Sequence, residues 1–157
     1  MNQLTALVIS LEKEVAKLPN LSNEMAKKAA SVIIQDLALT TPVDTGAAVS
    51  NWQVTLDVPA ESTIPAFAPS PKGKTVSGVW KHSVSPDVTR ENNANVLIAN
   101  SQQVIDAKQP GQTLYIANNL TYIEILNNGN SDQIPSGFTD RALTLAKSVV
   151  DNDFKIG

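Results

Sequence analysis

Apolar residues recur at helical spacing along the first quarter of the chain. They fall every three or four positions across residues 4–18 and again across residues 26–37, which is the pattern of one buried helix face. Pro19 and Asn20 separate the two runs, and Ser22 is a residue type that caps helix N-termini. The pattern predicts two helices, the second apolar enough to be buried on more than one side.

Two further helices are predicted towards the C-terminus. Ser85-Pro86-Asp87 has the form of a helix start and Pro110-Gly111 that of a stop, while Ser136 is the expected cap of the last helix. Their buried stripes are expected to be Ala94, Leu97, Ile98, Ser101 and Ile105 in one helix, and Phe138, Ala142, Leu145, Ala146 and Val149 in the other.

The period changes to two in a pair of segments between these helices. Apolar and polar residues alternate over residues 52–58 and over residues 113–118, which predicts two half-buried strands. After the second strand, Thr121-x-x-Glu124 has the form of a capping box, and Gly129 suits the end of a short helix. The alternative for that segment is a strand turning at Asn128-Gly129.

A long segment rich in proline and glycine, residues 59–86, is predicted to be an extended loop or arm. Its density of breakers excludes a long regular element, although a short strand can form around Val76, Val79 and Trp80. Loops of this length are commonly functional, so partner contacts are expected here. The residues expected at that interface are Lys72, Lys74, Trp80, Lys81 and Arg90.

These patterns predict an α+β fold in a single domain, residues 1–157, with a small antiparallel sheet packed against several long helices. A chain of 157 residues can bury one sizeable core. The net charge of −3 lacks the clustered positive field that non-specific nucleic-acid binding requires. The apolar run Ala6–Ile9 is too short for a signal core or membrane span, so synthesis in the cytoplasm and no membrane contact are expected.

The chain offers little catalytic chemistry. It has no cysteine and a single histidine, His82, so zinc sites built from several His or Cys ligands are excluded. The Asp151-Asn152-Asp153 run lacks the glycine and glutamate of a calcium loop, and Lys72-Gly73-Lys74-Thr75 lacks the first glycine of a phosphate loop. We therefore expect no catalytic residue, cofactor or metal, although carboxylate acid–base chemistry stays open.

The turn Thr41-Pro42-Val43-Asp44-Thr45-Gly46 joins the second predicted helix to the segment that carries Trp52. Pro42 stops a helix, Asp44 suits an Asx-type turn and Gly46 tolerates positive φ, so Pro42, Asp44, Thr45 and Gly46 are the expected structural turn. With Tyr122-Ile123-Glu124, Gly129 and residues 131–138 downstream, this turn resembles the tail-completion and head–tail connector (neck) proteins of tailed bacteriophages.

The resemblance implies a virion structural protein, made in the host cytoplasm, that forms a homo-oligomeric ring at the head–tail junction. Such a ring contacts portal or adaptor proteins and tail proteins, and lets DNA pass without specific binding. It implies no enzyme activity. The alternative function is a small soluble module that binds a host factor or glycan.

Charge is distributed unevenly along the chain. Residues 72–90 carry four basic side chains and one acidic, a net +3 that leaves −6 for the remainder. Opposite charges on one subunit suit docking of a basic arm on an acidic surface of a neighbour. Because few periodic apolar residues lie there, deleting residues 65–83 is expected to leave a folded protein that no longer assembles.

Overall fold

The computed structural model describes residues 6–9, 19–74, 77–78, 80–82, 84–129 and 131–154. Within these residues the fold is α+β, as predicted. The helices are α1 (Pro19–Thr40), α2 (Ala47–Ser50), α3 (Pro86–Ala107), α4 (Ile123–Asn127) and α5 (Phe138–Asp153). The strands are β1 (Ala6–Ile9), β2 (Gln53–Leu56), β3 (Lys72–Lys74), β4 (Trp80–His82) and β5 (Leu114–Ala117).

The main sheet has the order β1-β5-β2, with both outer strands antiparallel to β5. The predicted strands at 52–58 and 113–118 are confirmed, in shorter form, as β2 and β5. Val54 lies opposite Ile116 in the register, and both side chains are buried. β2 ends where Asp57 takes a φ of 66°, a left-handed conformation that breaks the ladder.

The helix predicted over residues 4–18 is wrong at Ala6–Ile9, which is strand β1 paired with β5. The remainder of that predicted helix lies outside the described residues. Ala6–Ile9 is an apolar run of 4 residues, and periodicity alone cannot distinguish a strand from a helix in so short a run. Its partner is more than 100 residues away, so the sequence carries no local sign of the pairing.

Helix α1 forms the centre of the core and packs against both α3 and α5. Its predicted stripe is confirmed, since Ala26, Ile33 and Leu37 are buried. Pro19, which was expected to lie between two helices, lies in the first turn of α1, where proline removes no helical hydrogen bond. The prediction that Ser22 caps this helix is wrong, because Ser22 lies within it with its Oγ buried and unpartnered.

Helix α3 begins and ends where the sequence predicts. Ser85 is its N-cap, and its Oγ accepts a hydrogen bond from the Val88 N–H at 3.4 Å. The helix ends at Ala107, before Pro110. Its predicted stripe is buried except for Ile98, which is partly buried against the core; the buried members are Ala94, Leu97, Ser101 and Ile105.

The short helix predicted after β5 is confirmed as α4, and Gly129 beyond it has a φ of 97°. The capping box does not form, because the N-cap residue is Tyr122 and no side chain caps the helix. The helix turns Ile123 into the core and leaves Ile125 54% exposed.

The first turn of helix α5 is capped by a residue of helix α4. Asn127 Oδ1 accepts hydrogen bonds from the Thr139 N–H at 3.1 Å and the Thr139 hydroxyl at 3.0 Å. The prediction that Ser136 caps α5 is therefore wrong, since Gly137 is the N-cap residue and has a φ of 79°. The predicted stripe also shifts, because Leu145 is 41% exposed while Val150 is buried with Phe138, Ala142 and Ala146.

Candidate functional site: the cleft beside the 41–46 turn

The predicted turn holds the end of α1 against the start of β2. Thr41 Oγ1 donates a hydrogen bond to Leu37 O at 2.6 Å and accepts one from Trp52 Nε1 at 2.9 Å. Trp52 is 1% exposed, which makes it an anchor of the core. Gly46 has a φ of 94°, as predicted, and leads directly into α2.

Gln133 joins this turn to the C-terminal part of the chain. Its Nε2 donates to Val43 O at 2.7 Å, and its Oε1 accepts from the Val43 N–H at 3.0 Å. Arg90 Nη2 donates to the same Oε1 at 3.0 Å. The two sequence blocks that carry the phage resemblance therefore meet in space, although 90 residues separate Val43 from Gln133.

A cleft of about 260 Å³ opens where these blocks meet. One part of its lining is apolar and another presents carboxylate, hydroxyl and amide groups. The lining residues are Pro42, Val43, Asp44, Thr45, Ala48, Tyr122, Leu126, Ser131 and Gln133. Of the predicted turn, Pro42, Asp44 and Thr45 line the cleft, and Gly46 lies outside its lining.

The mouth of the cleft carries an ion pair of opposite charges. Asp44 Oδ1 forms an ion pair with Lys72 Nζ at 2.9 Å, and the Asp44 side chain is 61% exposed. Burial raises the pKa of the Tyr122 phenol above its ordinary value, and the Asp44 carboxylate raises it further. A carboxylate beside an aromatic ring is an arrangement that binds a cation. Among the described residues no group of His, Cys, Asp and Glu is arranged to hold a metal ion.

The predicted interface residues divide into two groups. Lys72 and Arg90 contact cleft residues of their own chain, through Asp44 and Gln133 respectively. Lys74, Trp80 and Lys81 lie in the β3–β4 hairpin, where Lys81 is exposed. Tyr122, Leu126 and Gln133 were not predicted as site residues, because their shared position depends on contacts across the fold.

The predicted arm, residues 59–86, consists of two structurally different parts. The first part is bound to the body by side-chain amides: Asn51 exchanges two hydrogen bonds with the backbone of Ile64, and Asn93 exchanges two with that of Ala68. Phe67 packs against the core. The second part is the hairpin, residues 72–82, whose base is closed by Ser70 Oγ bonded to both Val84 O and Val84 N.

The segment that can be removed without loss of the fold is therefore shorter than residues 65–83. Deleting Phe67 would open the core, and deleting Ala68 would leave the buried amide of Asn93 without two of its partners. The hairpin alone, residues 72–82, pairs only with itself in the sheet topology of the described residues.

Comparisons of the chain with protein-family models, with curated proteins and with solved structures found no match. No helix in the described ranges is long and apolar enough to cross a membrane.

Proposed function

We propose that this chain is a structural protein of the neck of a tailed bacteriophage. Copies of it form a ring at the head–tail junction and continue the DNA channel from the portal to the tail. Its partners are other copies of itself, portal or adaptor proteins on one side, and tail proteins on the other. It is located in the virion, and it acts through its shape and its contacts with these proteins.

The observation that carries this proposal is the contact between Gln133 and Val43. The resemblance rests on two blocks that are distant in sequence, and a chance likeness would not require them to be neighbours in the fold. Both backbone groups of Val43 are bonded to the Gln133 side chain, at 3.0 Å and 2.7 Å. The two blocks thus form one structural unit, and this supports treating their likeness to phage neck proteins as a single resemblance.

The charge distribution is compatible with a DNA channel. Outside residues 72–90 the chain carries a net −6. Phosphate capture needs clustered positive charge, so an acidic wall lets DNA pass without binding it. The basic hairpin then belongs on the side of the ring that meets protein.

The test is to locate the protein in particles of the phage that encodes it. Mass spectrometry of purified virions should detect it in multiple copies, and a gold-labelled tag should appear at the junction of head and tail. Removing its gene should yield filled heads and separate tails. Absence of the protein from purified particles would refute the proposal.

Sedimentation of the purified protein distinguishes a ring-forming protein from the alternative, a small binding module. A ring-forming chain sediments as an oligomer whose mass is a multiple of 16.7 kDa. A stable monomer that is retained on a glycan array would instead indicate a small binding module.

A further inference from the structure

The outer face of helix α3 carries no charge over about four turns. Residues 92–105 contain no Asp, Glu, Lys or Arg. The exposed faces of α1 and α5, by contrast, carry charges, such as the ion pair of Lys28 with Asp153. Depletion of charged residues distinguishes the centre of a protein interface from the rest of a protein surface. This face of α3 therefore has the composition of a contact surface.

The fold does not explain the exposed asparagines of α3. Asparagine lowers the stability of a helix, because its side chain competes for backbone hydrogen bonds. Asn93 is buried and hydrogen-bonded within the chain. Four other amides of α3 are exposed and make no side-chain hydrogen bond to the residues that the structure describes: Asn92, Asn95, Asn100 and Gln103. These amides are presented to the outside of the molecule, where a partner can bind them.

Four exposed residues of this face form a seam with the spacing of a helix–helix contact. Asn92, Val96, Ala99 and Gln103 follow one another at intervals of 4, 3 and 4 positions, which is the a/d spacing of paired helices. Val96 is apolar and 38% exposed. The small side chain of Ala99 lets a second helix approach closely, since the distance between helix axes depends on the side chains at the contact.

The seam is complementary to itself in an antiparallel pair centred between Val96 and Ala99. Val96 of one copy then faces Ala99 of the other, and Asn92 faces Gln103, because both pairs are symmetric about the same point in the sequence. Each apolar side chain meets an apolar one. Each amide meets an amide, which can both donate and accept a hydrogen bond. No charge opposes a like charge along this seam.

We propose that two copies of this chain pair through the outer faces of α3, antiparallel about a two-fold axis. The same register places the exposed Val88 of one copy against Ala107 of the other, so the contact extends along the helix. A two-fold contact uses one surface twice and closes at two copies, whereas a ring needs head-to-tail contacts. The inference thus goes beyond the proposed ring and does not depend on it.

The pair is expected to be weak. One face of a 22-residue helix covers less than the roughly 800 Å² per partner of a standard interface. Occupying it therefore takes protein at about 100 µM or more. In dilute protein the α3 contact is open, and any association seen there comes from another surface.

Sedimentation of the full chain in about 0.5 M salt tests the pairing, because salt screens contacts between charges and leaves an uncharged contact in place. The mass should rise from 16.7 kDa towards twice that value between about 10 µM and 1 mM protein. Ala99→Glu should weaken the pairing about tenfold or more, since it brings a carboxylate into the centre of the seam. The matched control is Ser148→Glu at an exposed position on α5, which should pair as the unchanged protein does. Melting curves show whether each variant is folded.

Cysteine cross-linking tests the register, because the chain has no cysteine of its own. In the proposed pair, a thiol in Asn92→Cys meets one in Gln103→Cys across the axis. Within a pair of identical variants the two thiols lie about 16 Å apart along the helices, whereas a disulfide needs Cα atoms within about 7 Å. With oxidised glutathione as the oxidant, an equimolar mixture should form covalent dimers much faster than either variant alone.

Three results would each overturn the inference. They are a mass that stays at 16.7 kDa up to about 1 mM protein, an Ala99→Glu variant that pairs as well as the unchanged protein, and single cysteine variants that cross-link as fast as their mixture. Detection of the protein in virions is a separate result, so failure of this contact is distinguishable from failure of the neck assignment.

Discussion

Asn51, Asn93 and Gln133 each exchange two hydrogen bonds with the N–H and C=O of a single residue. Their partners are Ile64, Ala68 and Val43, which are 13, 25 and 90 positions away. Buried backbone groups outside regular structure need such partners. At the scale of single residues the sequence shows that these amides exist, but nothing local identifies the backbone that each one binds.

Gly46 is the residue where substitution should be most informative. Its φ of 94° strains any side chain, and an added Cβ would lie 2.5 Å from Asn93 Nδ2, within the network that holds Ala68. We expect Gly46→Val to lower the free energy of unfolding by more than about 2 kcal/mol, combining backbone strain with lost hydrogen bonds. Urea unfolding measures this loss.

The matched control is Gly111→Val. Gly111 also has a positive φ, of 86°, but a Cβ there would meet nothing within 4 Å. Gly111→Val should lower the free energy of unfolding only through backbone strain, by about 1–2 kcal/mol. Equal losses at the two positions would show that Asn93 tolerates a side chain at Gly46.

Tyr122 reports the electrostatics of the cleft. Burial first, and Asp44 second, raise the pKa of its phenol above 10.0. In a Tyr115→Phe background Tyr122 is the only tyrosine, and its ultraviolet titration should have a midpoint above that of a free tyrosine. Asp44→Asn should lower the midpoint without restoring the free value. The matched control is Asp151→Asn, at the far end of α5. A midpoint that is unchanged in Asp44→Asn but shifted in Asp151→Asn would contradict the cleft geometry.

The sign of the accompanying stability change follows from the same shift. The folded chain holds the Tyr122 proton to higher pH than the unfolded chain does. This contribution to stability is complete below the unfolded pKa near 10.0 and is lost as pH rises through the folded pKa. Alkaline unfolding should therefore begin at lower pH in Tyr122-containing protein than in a Tyr122→Phe variant.

At the scale of elements, the sequence correctly predicted those helices and strands whose bounds depend on neighbouring residues. The alternation from Trp52 gave β2, Ser85-Pro86 gave the start of α3, and Gly129 gave the end of α4. Strand β1 and the cap of α5 depend on partners that are distant in sequence or beyond a loop, and both predictions were wrong. Periodicity describes which face of an element is apolar, but not which other element covers it.

The cap of α5 provides a test at this scale. Asn127 Oδ1 binds both the N–H and the hydroxyl of Thr139, whereas Ser136 makes no capping bond. Asn127→Ala should cost about 1–2 kcal/mol of stability, the usual loss of a helix cap, with faster amide exchange in the first turn of α5. Ser136→Ala should leave the stability unchanged. The reverse order of losses would restore Ser136 as the cap.

At the scale of the whole molecule, the fold separates a fixed body from one projecting element. Helix α1 with α3, α5 and the sheet form the core, and the amides of Asn51 and Asn93 fasten the first part of the 59–86 segment to it. The sequence predicted that this segment is irregular and basic. It could not predict the division at Ser70, because that depends on the bonds between Ser70 and Val84.

This division predicts opposite effects for two deletions. Ser70 and Val84 are hydrogen-bonded, so a short Gly-Ser turn can replace residues 72–82 with little strain. Of the interactions described for the hairpin side chains, that variant loses the exposed ion pair of Lys72 with Asp44, and its free energy of unfolding should fall by less than about 1 kcal/mol. Deleting residues 65–70 instead removes Phe67 from the core and two partners of Asn93, which should cost about 3 kcal/mol or more.

The two measurements together decide whether the hairpin is an assembly element. The hairpin-replacement variant should unfold in urea almost as the complete chain does, yet sediment as a monomer under conditions in which the complete chain associates. Since all three hairpin lysines are absent, raising the salt concentration should no longer change its sedimentation, whereas association of the complete chain should weaken as the charges are screened. A stable variant that still forms oligomers of normal mass would show that copies of the chain meet through another surface.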